Sequence, residues 1–221
     1  MRIFAQQLIF YRMIVLVKDF TLPQLQLCFA DIAAAKLDEH AMIGPELKQY
    51  NSFTNQQRKK TFLGVRMLRK ALKINKPIIY LPSGKPILFN ANEHISISHT
   101  KEIVAFATSG QPIGLDIEEK SRNCTRIINK FVSVHEKNLY QQLQGNWPLE
   151  LWCAKEAAYK LYDLPGLSFK EEISIHERNI NGHLTLLKGT ISRDHPFRDF
   201  EVQLLQTDQI LIAIAHFIAA L

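Results

Sequence analysis

Two carboxylates lie close together on one face of the strand predicted at residues 113–118. Asp116 and Glu118 stand two positions apart in the stretch G-L-D-I-E, and alternate residues of a strand point to the same face. Two carboxylates in this arrangement repel each other unless a cation lies between them. Gly114, on the same face, would leave open space beside them. An exposed acidic edge would be the favoured explanation if this strand stood alone.

A predicted helix supplies a third acid, Glu156. The helical period places small apolar residues on one side and a charged, aromatic set on the other: Trp152, Lys155, Glu156, Tyr159 and Lys160. A solvated surface with Glu156 and Lys160 as an ion pair would explain the charges, but the large rings favour a lined cleft. Mg²⁺ binds few carboxylates and keeps water or phosphate oxygens as its other ligands. Asp116, Glu118 and Glu156 are therefore candidate Mg²⁺ ligands.

Charge is unevenly distributed along the chain. The 221 residues are 47% hydrophobic and 22% charged, with a formal net charge of +6, which is ordinary for a globular protein. Residues 1–112 carry 15 Lys and Arg against 7 Asp and Glu, whereas residues 113–221 carry 12 against 14. A basic half beside a mildly acidic half favours a polyanionic ligand at their junction, with a metal on the acidic side. Nucleic acid stays possible from charge alone, but the sequence has no long basic run.

Helices followed by antiparallel strands are predicted in both halves, which indicates an α+β fold with domains 1–112 and 113–221. In the first half we expect a helix from Pro23 to about Asp38, since proline favours the first turn. A second helix over 55–73 carries six cations, which we expect on a solvated face, although they would also suit the edge of a phosphate site. Three strands would then form an antiparallel meander, at residues 94–98, 103–108 and 113–118.

The second half begins with short helices. Ser133 and Glu136 have the spacing of a capping box, a structural role that competes with any catalytic role for Glu136. Pro148 fits the start of the helix that carries Glu156. Four strands are predicted after it, near residues 172–177, 183–192, 200–206 and 210–219, with a hairpin signal at Asn181-Gly182.

Cysteine usage and hydropathy favour a cytoplasmic protein. Cys28, Cys124 and Cys153 are widely spaced without a pairing pattern, which favours a reducing compartment. The apolar run Leu8–Val17 is interrupted by Arg12 and is too short to span a bilayer, so we predict a buried first strand. A signal peptide is less favoured because charged residues break its pattern.

The two acidic motifs together resemble a known family. G-L-D-I-E at 114–118 and W-C-A-K-E-A-A-Y-K at 152–160 are similar to the paired signature of 4′-phosphopantetheinyl transferases, G-[IVL]-D-[IVL]-E and W-x-x-K-E-A-x-x-K. Further segments match the longer, surfactin-synthetase-activating (Sfp-like) class in order: Gly84-Lys85-Pro86, Ile97-Ser98-His99-Thr100, F-V-S-V-H-E at 131–136 and Gly166-Leu167-Ser168. The resemblance covers roughly two-thirds of the chain.

The resemblance implies a fold, a reaction and its partners. The family's fold is a pseudo-dimer of two similar α+β halves with the site between them, and a chain holding both halves is expected to be a monomer. Its members transfer the phosphopantetheine arm of coenzyme A to a serine of an apo acyl or peptidyl carrier protein, and 3′,5′-ADP is released. No nucleic acid and no membrane take part in this reaction.

The resemblance also implies roles for individual residues. Asp116, Glu118 and Glu156 would hold Mg²⁺ on the diphosphate, and Lys155 and Lys160 would contact the phosphates. Gly84, Lys85 and Pro86 would flank the adenine, and Ser98 and His99 would lie near the 3′-phosphate. Glu136, or a water held by the metal, would take the proton of the serine hydroxyl. Catalytic roles therefore fall on Glu136, Lys155 and Glu156.

One departure from the family pattern lies on the basic helix. Many members carry an arginine that reaches the 3′-phosphate, and Lys60 stands at that position here. Lysine offers a point charge in place of a bidentate fork, so the role would stay with Lys60 or pass to Arg58 or Arg66. Two alternatives to the transferase stay open: a Mg²⁺-dependent hydrolase of phosphate esters that uses the same acids, and a non-catalytic basic binding module.

Overall fold

Helices and antiparallel strands make up both halves of the computed structural model, which describes residues 5–8, 13–16, 22, 24–33, 35, 37–143, 145–193 and 195–218. The α+β class predicted from the sequence is confirmed. The chain divides into two compact units, Met1–Gln111 and Pro112–Leu221. No helix in the described ranges is long and apolar enough to cross a membrane.

An antiparallel five-stranded sheet is the main element of the first unit. Its strands lie in the order β1-β2-β3-β7-β6: β1 (Ala5–Leu8), β2 (Met13–Leu16), β3 (Gln26–Asp31), β6 (His94–His99) and β7 (Ile103–Ser109). Two helices follow β3, namely α1 (Glu46–Ser52) and α2 (Gln56–Ala71). A separate hairpin is formed by β4 (Ile78–Tyr80) and β5 (Pro86–Leu88).

Two predictions for the start of the chain are wrong. The helix expected from Pro23 to Asp38 is replaced by β3, which pairs with β2 on one side and β7 on the other. All four residues from Leu27 to Ala30 are buried, and a short continuous apolar run fits a strand covered on both faces as well as a helix. In place of the single strand expected over Leu8–Val17, β1 and β2 pair antiparallel, with Leu8 opposite Met13; residues 9–12 and 17 lie outside the described ranges.

Helix α2 forms where the sequence predicts it, but its cations are not all solvated. Asn55 caps the helix by accepting a hydrogen bond from the Arg58 backbone N–H at 2.9 Å. Arg66 and Arg69 are fully buried, which contradicts the expectation of a solvated basic face. Both reach the buried carboxylate of Glu46, with Arg69 Nη1 at 2.7 Å and Arg66 Nε at 3.3 Å. Buried guanidinium groups are tolerated here because an acid distant in sequence pairs with them.

The second unit consists of helices packed on another five-stranded antiparallel sheet. Its helices are α3 (Ile128–Phe131), α4 (Val134–Tyr140) and α5 (Trp147–Tyr162). Its strands lie in the order β8-β12-β11-β10-β9: β8 (Ile113–Glu119), β9 (Ile173–Asn181), β10 (Leu184–Ile191), β11 (Arg198–Gln206) and β12 (Ile210–Phe217). The capping box predicted at the start of α4 is present, and β9–β12 form close to the predicted positions.

The predicted meander of three consecutive strands is wrong. β6 and β7 pair with each other as expected, but β8 pairs with β12, from the end of the chain. Leu115 and Ile117 of β8 stand opposite Ile214 and Ile212, and all four side chains are buried. Strand alternation in a sequence predicts faces but not partners, and here the apolar β12 is the partner.

Candidate functional site

Strand β8 and helix α5 approach each other unusually closely at Gly114. A Cβ atom on this residue would lie 1.9 Å from the Ala157 carbonyl oxygen and 2.7 Å from the Leu161 backbone nitrogen. The expectation that Gly114 leaves open space beside the acids is therefore wrong, because helix backbone fills that space. The glycine instead allows the helix to lie directly on the strand, which carries Asp116 and Glu118 on the same face as Gly114.

The three predicted acids share one electrostatic environment. The pKa of Glu156 is raised to about 7, first by burial and then by the charge of Asp116, with Glu118 adding to the effect and Lys160 opposing it. The pKa of Glu118 is also raised, mainly by burial, and the charge of Asp116 raises it further while Arg122 opposes the shift. Carboxylates that raise one another's pKa are stabilised by a cation in their neighbourhood.

Side-chain cations already contact the two strand carboxylates. Lys160 Nζ donates to Asp116 Oδ1 at 2.8 Å and to the Leu115 carbonyl at 2.9 Å. Glu118 Oε1 accepts hydrogen bonds from Trp152 Nε1 at 2.7 Å and from Arg122 Nη1. The Arg122 guanidinium also lies 5.0 Å from the centre of the Trp152 ring. Sequence reasoning missed Arg122; the available signal was a cation four residues after Glu118, in the turn that follows the strand.

The donor set suits a hard divalent cation, although its present arrangement does not form a metal centre. Within the part of the chain that the structure describes, no group of three or more His, Cys, Asp or Glu side chains is arranged to hold a metal. Asp116, Glu118 and Glu156 nevertheless offer three carboxylates, the oxygen ligands that Mg²⁺ takes. In this arrangement Lys160 and Arg122 supply the positive charge that the acids need.

Lys155 lies on the buried side of α5, which corrects its predicted place on the polar face. Its ammonium group is fully buried and pairs with Glu136 at 2.7 Å. It also donates to the carbonyls of Phe131 and Phe169, each at 2.7 Å. These contacts use the three donors of the ammonium group. The pKa of Lys155 is lowered by burial, and the Glu136 charge opposes that shift.

Glu136 has a structural role that the sequence only partly predicted. Besides pairing with Lys155, its carboxylate accepts from the backbone N–H of Ser133 at 2.8 Å and of Ile175 at 2.9 Å. The side chain is fully buried. Both oxygens are therefore occupied, and the catalytic roles expected for Glu136 and Lys155 stay predictions that this geometry does not favour.

The predicted adenine and 3′-phosphate residues lie in the first unit. Gly84 is exposed in the turn between β4 and β5 and has a φ of +88°, which glycine adopts without strain. The pKa of His94 on β6 is lowered mainly by burial and further by the charge of Lys85. Lys85 therefore lies near this strand. The remaining members of this set are Pro86 at the start of β5, buried Ser98 and exposed His99 at the end of β6, and exposed Lys60 on α2.

The second unit matches a known protein family. Residues 112–215 match the model of the 4′-phosphopantetheinyl transferase superfamily. The predicted resemblance is confirmed. Over 115 residues the chain is 31% identical to the 4′-phosphopantetheinyl transferase gsp of Aneurinibacillus migulanus, an alignment that covers 46% of this chain and 47% of that protein. The matched stretch therefore spans about half the length of this curated relative.

Proposed function

We propose that this chain transfers the 4′-phosphopantetheine moiety of coenzyme A to a serine of an apo acyl or peptidyl carrier protein, releasing 3′,5′-ADP in a Mg²⁺-dependent reaction. The observation that carries the proposal is the family match over residues 112–215. That stretch contains both acidic motifs, and the acids of the two motifs share one electrostatic environment. Neither a phosphate-ester hydrolase nor a non-catalytic binding module finds support in the comparisons.

Asp116, Glu118 and Glu156 would hold the Mg²⁺ ion. A bound Mg²⁺ would supply neutralising charge for the diphosphate of coenzyme A, and phosphoryl transfer depends mainly on such neutralisation and on positioning. Lys160, beside Asp116, would contact the phosphates. Glu156 can carry a proton near neutral pH, since its pKa is about 7, and that proton must leave before the carboxylate binds a cation.

In this proposal, the buried pair of Lys155 and Glu136 fixes the orientation of the helix that carries Glu156. The pair joins the start of α4, the middle of α5 and the start of β9 through the contacts of one carboxylate. Those contacts fix the rotation of α5, and Glu156 follows Lys155 directly on that helix. Neither side chain is exposed to the serine of a carrier protein, so we assign both a positioning role.

The first unit would bind the nucleotide portion of coenzyme A. Its excess of positive charge, 15 Lys and Arg against 7 Asp and Glu over residues 1–112, suits the 3′-phosphate. The residues proposed for adenine and 3′-phosphate contacts are Lys60, Gly84, Lys85, Pro86, Ser98 and His99. A pseudo-dimeric architecture, a monomeric state and a cytoplasmic location also belong to the proposal, and the three cysteines, all buried and free, suit a reducing compartment.

Intact-mass spectrometry of carrier proteins tests the proposal directly. An apo acyl carrier protein and an apo peptidyl carrier protein are each incubated with this protein, coenzyme A and Mg²⁺, with EDTA and a serine-to-alanine carrier as controls. A mass increase of one phosphopantetheine that is absent from both controls is the expected result. Consumption of coenzyme A without a carrier mass change would favour a hydrolase, and no consumption would favour a binding module.

A further inference from the structure

Arg122 occupies a position that neither the sequence motifs nor the family match assigns to a function. Its Nη1 donates to Glu118 Oε1, the oxygen that also accepts from Trp152 Nε1 at 2.7 Å. The guanidinium lies 5.0 Å from the Trp152 ring centre, within the range of a cation–π contact. The Arg122 side chain is 41% exposed, whereas that of Glu118 is 10% exposed. A half-exposed cation therefore holds a nearly buried acid.

Asp116 shows the same arrangement. Its side chain is 7% exposed and Lys160 Nζ lies 2.8 Å from Oδ1. Buried carboxylates are costly without a compensating charge. Lys160 and Arg122 thus act as the counter-ions of the two strand acids while no other cation is bound.

We propose that Arg122 is an exchangeable counter-ion of Glu118: its guanidinium would leave this carboxylate when a divalent cation binds there, and would then pair with the diphosphate of coenzyme A. This inference rests on the proposed function of the three acids. Exchange is feasible because the guanidinium is half exposed and attached to a flexible side chain. The planar fork of arginine suits two phosphate oxygens at once. The Trp152 ring keeps the released guanidinium beside the site.

Two opposite effects follow from this exchange. In a variant without Arg122, the guanidinium no longer competes with divalent ions for Glu118, so these ions bind more tightly to the free protein. Without Arg122, the diphosphate also loses one partner, so coenzyme A binds more weakly when the metal is present. A residue that only supports the fold would change both affinities in the same direction, or neither.

Mn²⁺ titration followed by electron paramagnetic resonance measures the first effect without any turnover. We compare the wild type with Arg122→Gln and with Lys120→Gln as a matched control. Lys120 is exposed, lies two residues from Arg122, and donates to the Thr207 carbonyl at 3.3 Å. Arg122→Gln should tighten Mn²⁺ binding about three- to ten-fold, the effect of one charge in direct contact. Lys120→Gln should change it by less than about two-fold, because solvent and salt screen a more distant charge.

Calorimetric titration with coenzyme A in the presence of Mg²⁺ measures the second effect. Arg122→Gln should weaken binding about five-fold or more, the loss of a charge-assisted phosphate contact. Arg122→Lys keeps the charge without the fork and should restore metal affinity to near the wild-type value, with intermediate affinity for coenzyme A. Thermal unfolding of each variant tests whether the folded state is retained.

The inference fails if Arg122→Gln and Lys120→Gln shift Mn²⁺ affinity equally, or if Arg122→Gln weakens it. Unchanged affinity for coenzyme A would also overturn it. Failure of the proposed function is a separate observation, since it is scored by the mass of the carrier protein with wild-type enzyme. If the wild type modifies the carrier while Arg122→Gln behaves like its control, only the inference about Arg122 is lost. If the wild type neither binds Mn²⁺ nor modifies a carrier, both are lost.

Discussion

Replacing Gly114 with alanine should separate β8, which carries Asp116 and Glu118, from α5, which carries Glu156. The new Cβ would lie 1.9 Å from the Ala157 carbonyl oxygen, whereas ordinary van der Waals contact begins at 3.4 Å. β8 and α5 must therefore move apart by about 1.5 Å, the difference between these two distances. Both nearest partners are backbone atoms, so no side-chain rotation relieves the clash. We expect a loss of about 3 kcal/mol of unfolding free energy, the upper range for overpacking. For a chain of this size the melting temperature would fall by roughly 6–12 °C.

The same displacement should reduce activity well below the melting temperature. Asp116 and Glu118 lie on β8 and Glu156 on α5, so the shift changes the spacing of the proposed metal ligands. A displacement of about 1 Å near reacting groups lowers turnover about 100-fold. Carrier modification, measured by intact mass at a temperature where the variant is folded, should fall by about that factor, and Mn²⁺ affinity should fall with it.

Gly189→Ala provides a matched control for this substitution. Its Cβ would lie 2.3 Å from the Ser174 carbonyl oxygen and 2.5 Å from the Phe200 ring, so a similar loss of stability is expected. Gly189 lies on β10, three strands from β8 in the sheet, and its variant should keep near-normal turnover and Mn²⁺ affinity while folded. The reasoning is refuted if Gly114→Ala melts like the wild type, or if both variants lose activity equally at equal stability.

Three further predictions concern the acids and the buried pair. Asp116→Asn should abolish Mg²⁺-dependent carrier modification, by more than about 100-fold, with an unchanged circular dichroism spectrum; near-normal turnover would remove Asp116 from the metal site. Divalent cation affinity should fall as pH drops through about 7, because a proton then occupies Glu156; titration of Mn²⁺ across this range should show the fall, and a flat profile would contradict it. Glu136→Gln should cost about 3–5 kcal/mol of unfolding free energy by leaving Lys155 buried and unpaired, with a smaller loss in the Glu136→Gln, Lys155→Met double variant. Urea unfolding measures both, and a stable Glu136→Gln protein without turnover would instead favour Glu136 as the base.

The raised pKa of Glu156 also has a consequence for stability, with a definite sign. The folded state holds a proton on this group up to a pH of about 7, whereas the unfolded state releases it near the ordinary glutamate pKa of 4.5. Its contribution therefore becomes less favourable to folding as pH rises from about 4.5 to about 7. Glu156→Gln removes this dependence, so its unfolding free energy should exceed that of the wild type more at neutral pH than at acidic pH.

The elements that carry the three acids are predictable because the spacing of these residues is local. Asp116 and Glu118 follow the two-residue period of a strand, and the motif around Glu156 follows a helical period, so each segment could be interpreted by itself. The partner of β8 was not predictable, because β12 lies nearly 100 residues further along the chain and strand alternation carries no information about pairing.

The largest difference between the predicted and the observed structure is the burial of charged side chains, and it has one physical cause. Arg66 and Arg69 are expected on a solvated face, and Lys155 on the charged, aromatic face of its helix, because a charged side chain is rarely buried alone. Each is buried beside an acid at least 19 residues away in sequence, Glu136 for the lysine and Glu46 for the arginines. Helical periodicity describes one helix at a time, so it cannot reveal a partner on another element. Gly114 shows the same limit, since a missing side chain can equally indicate a cavity or a close contact.

The contacts of Glu136 have a consequence for how the second unit opens. One carboxylate receives the first turn of α4, the ammonium group of Lys155 on α5 and the backbone N–H of Ile175 on β9. Detachment of α4 or α5 would separate Glu136 from Lys155 and leave a buried charge unpaired, and detachment of β9 would take the Ile175 N–H from the buried carboxylate. The amide hydrogens of α4, although that helix has only seven residues, should therefore exchange with solvent at the slow rates of α5 and β9, as one cooperative unit.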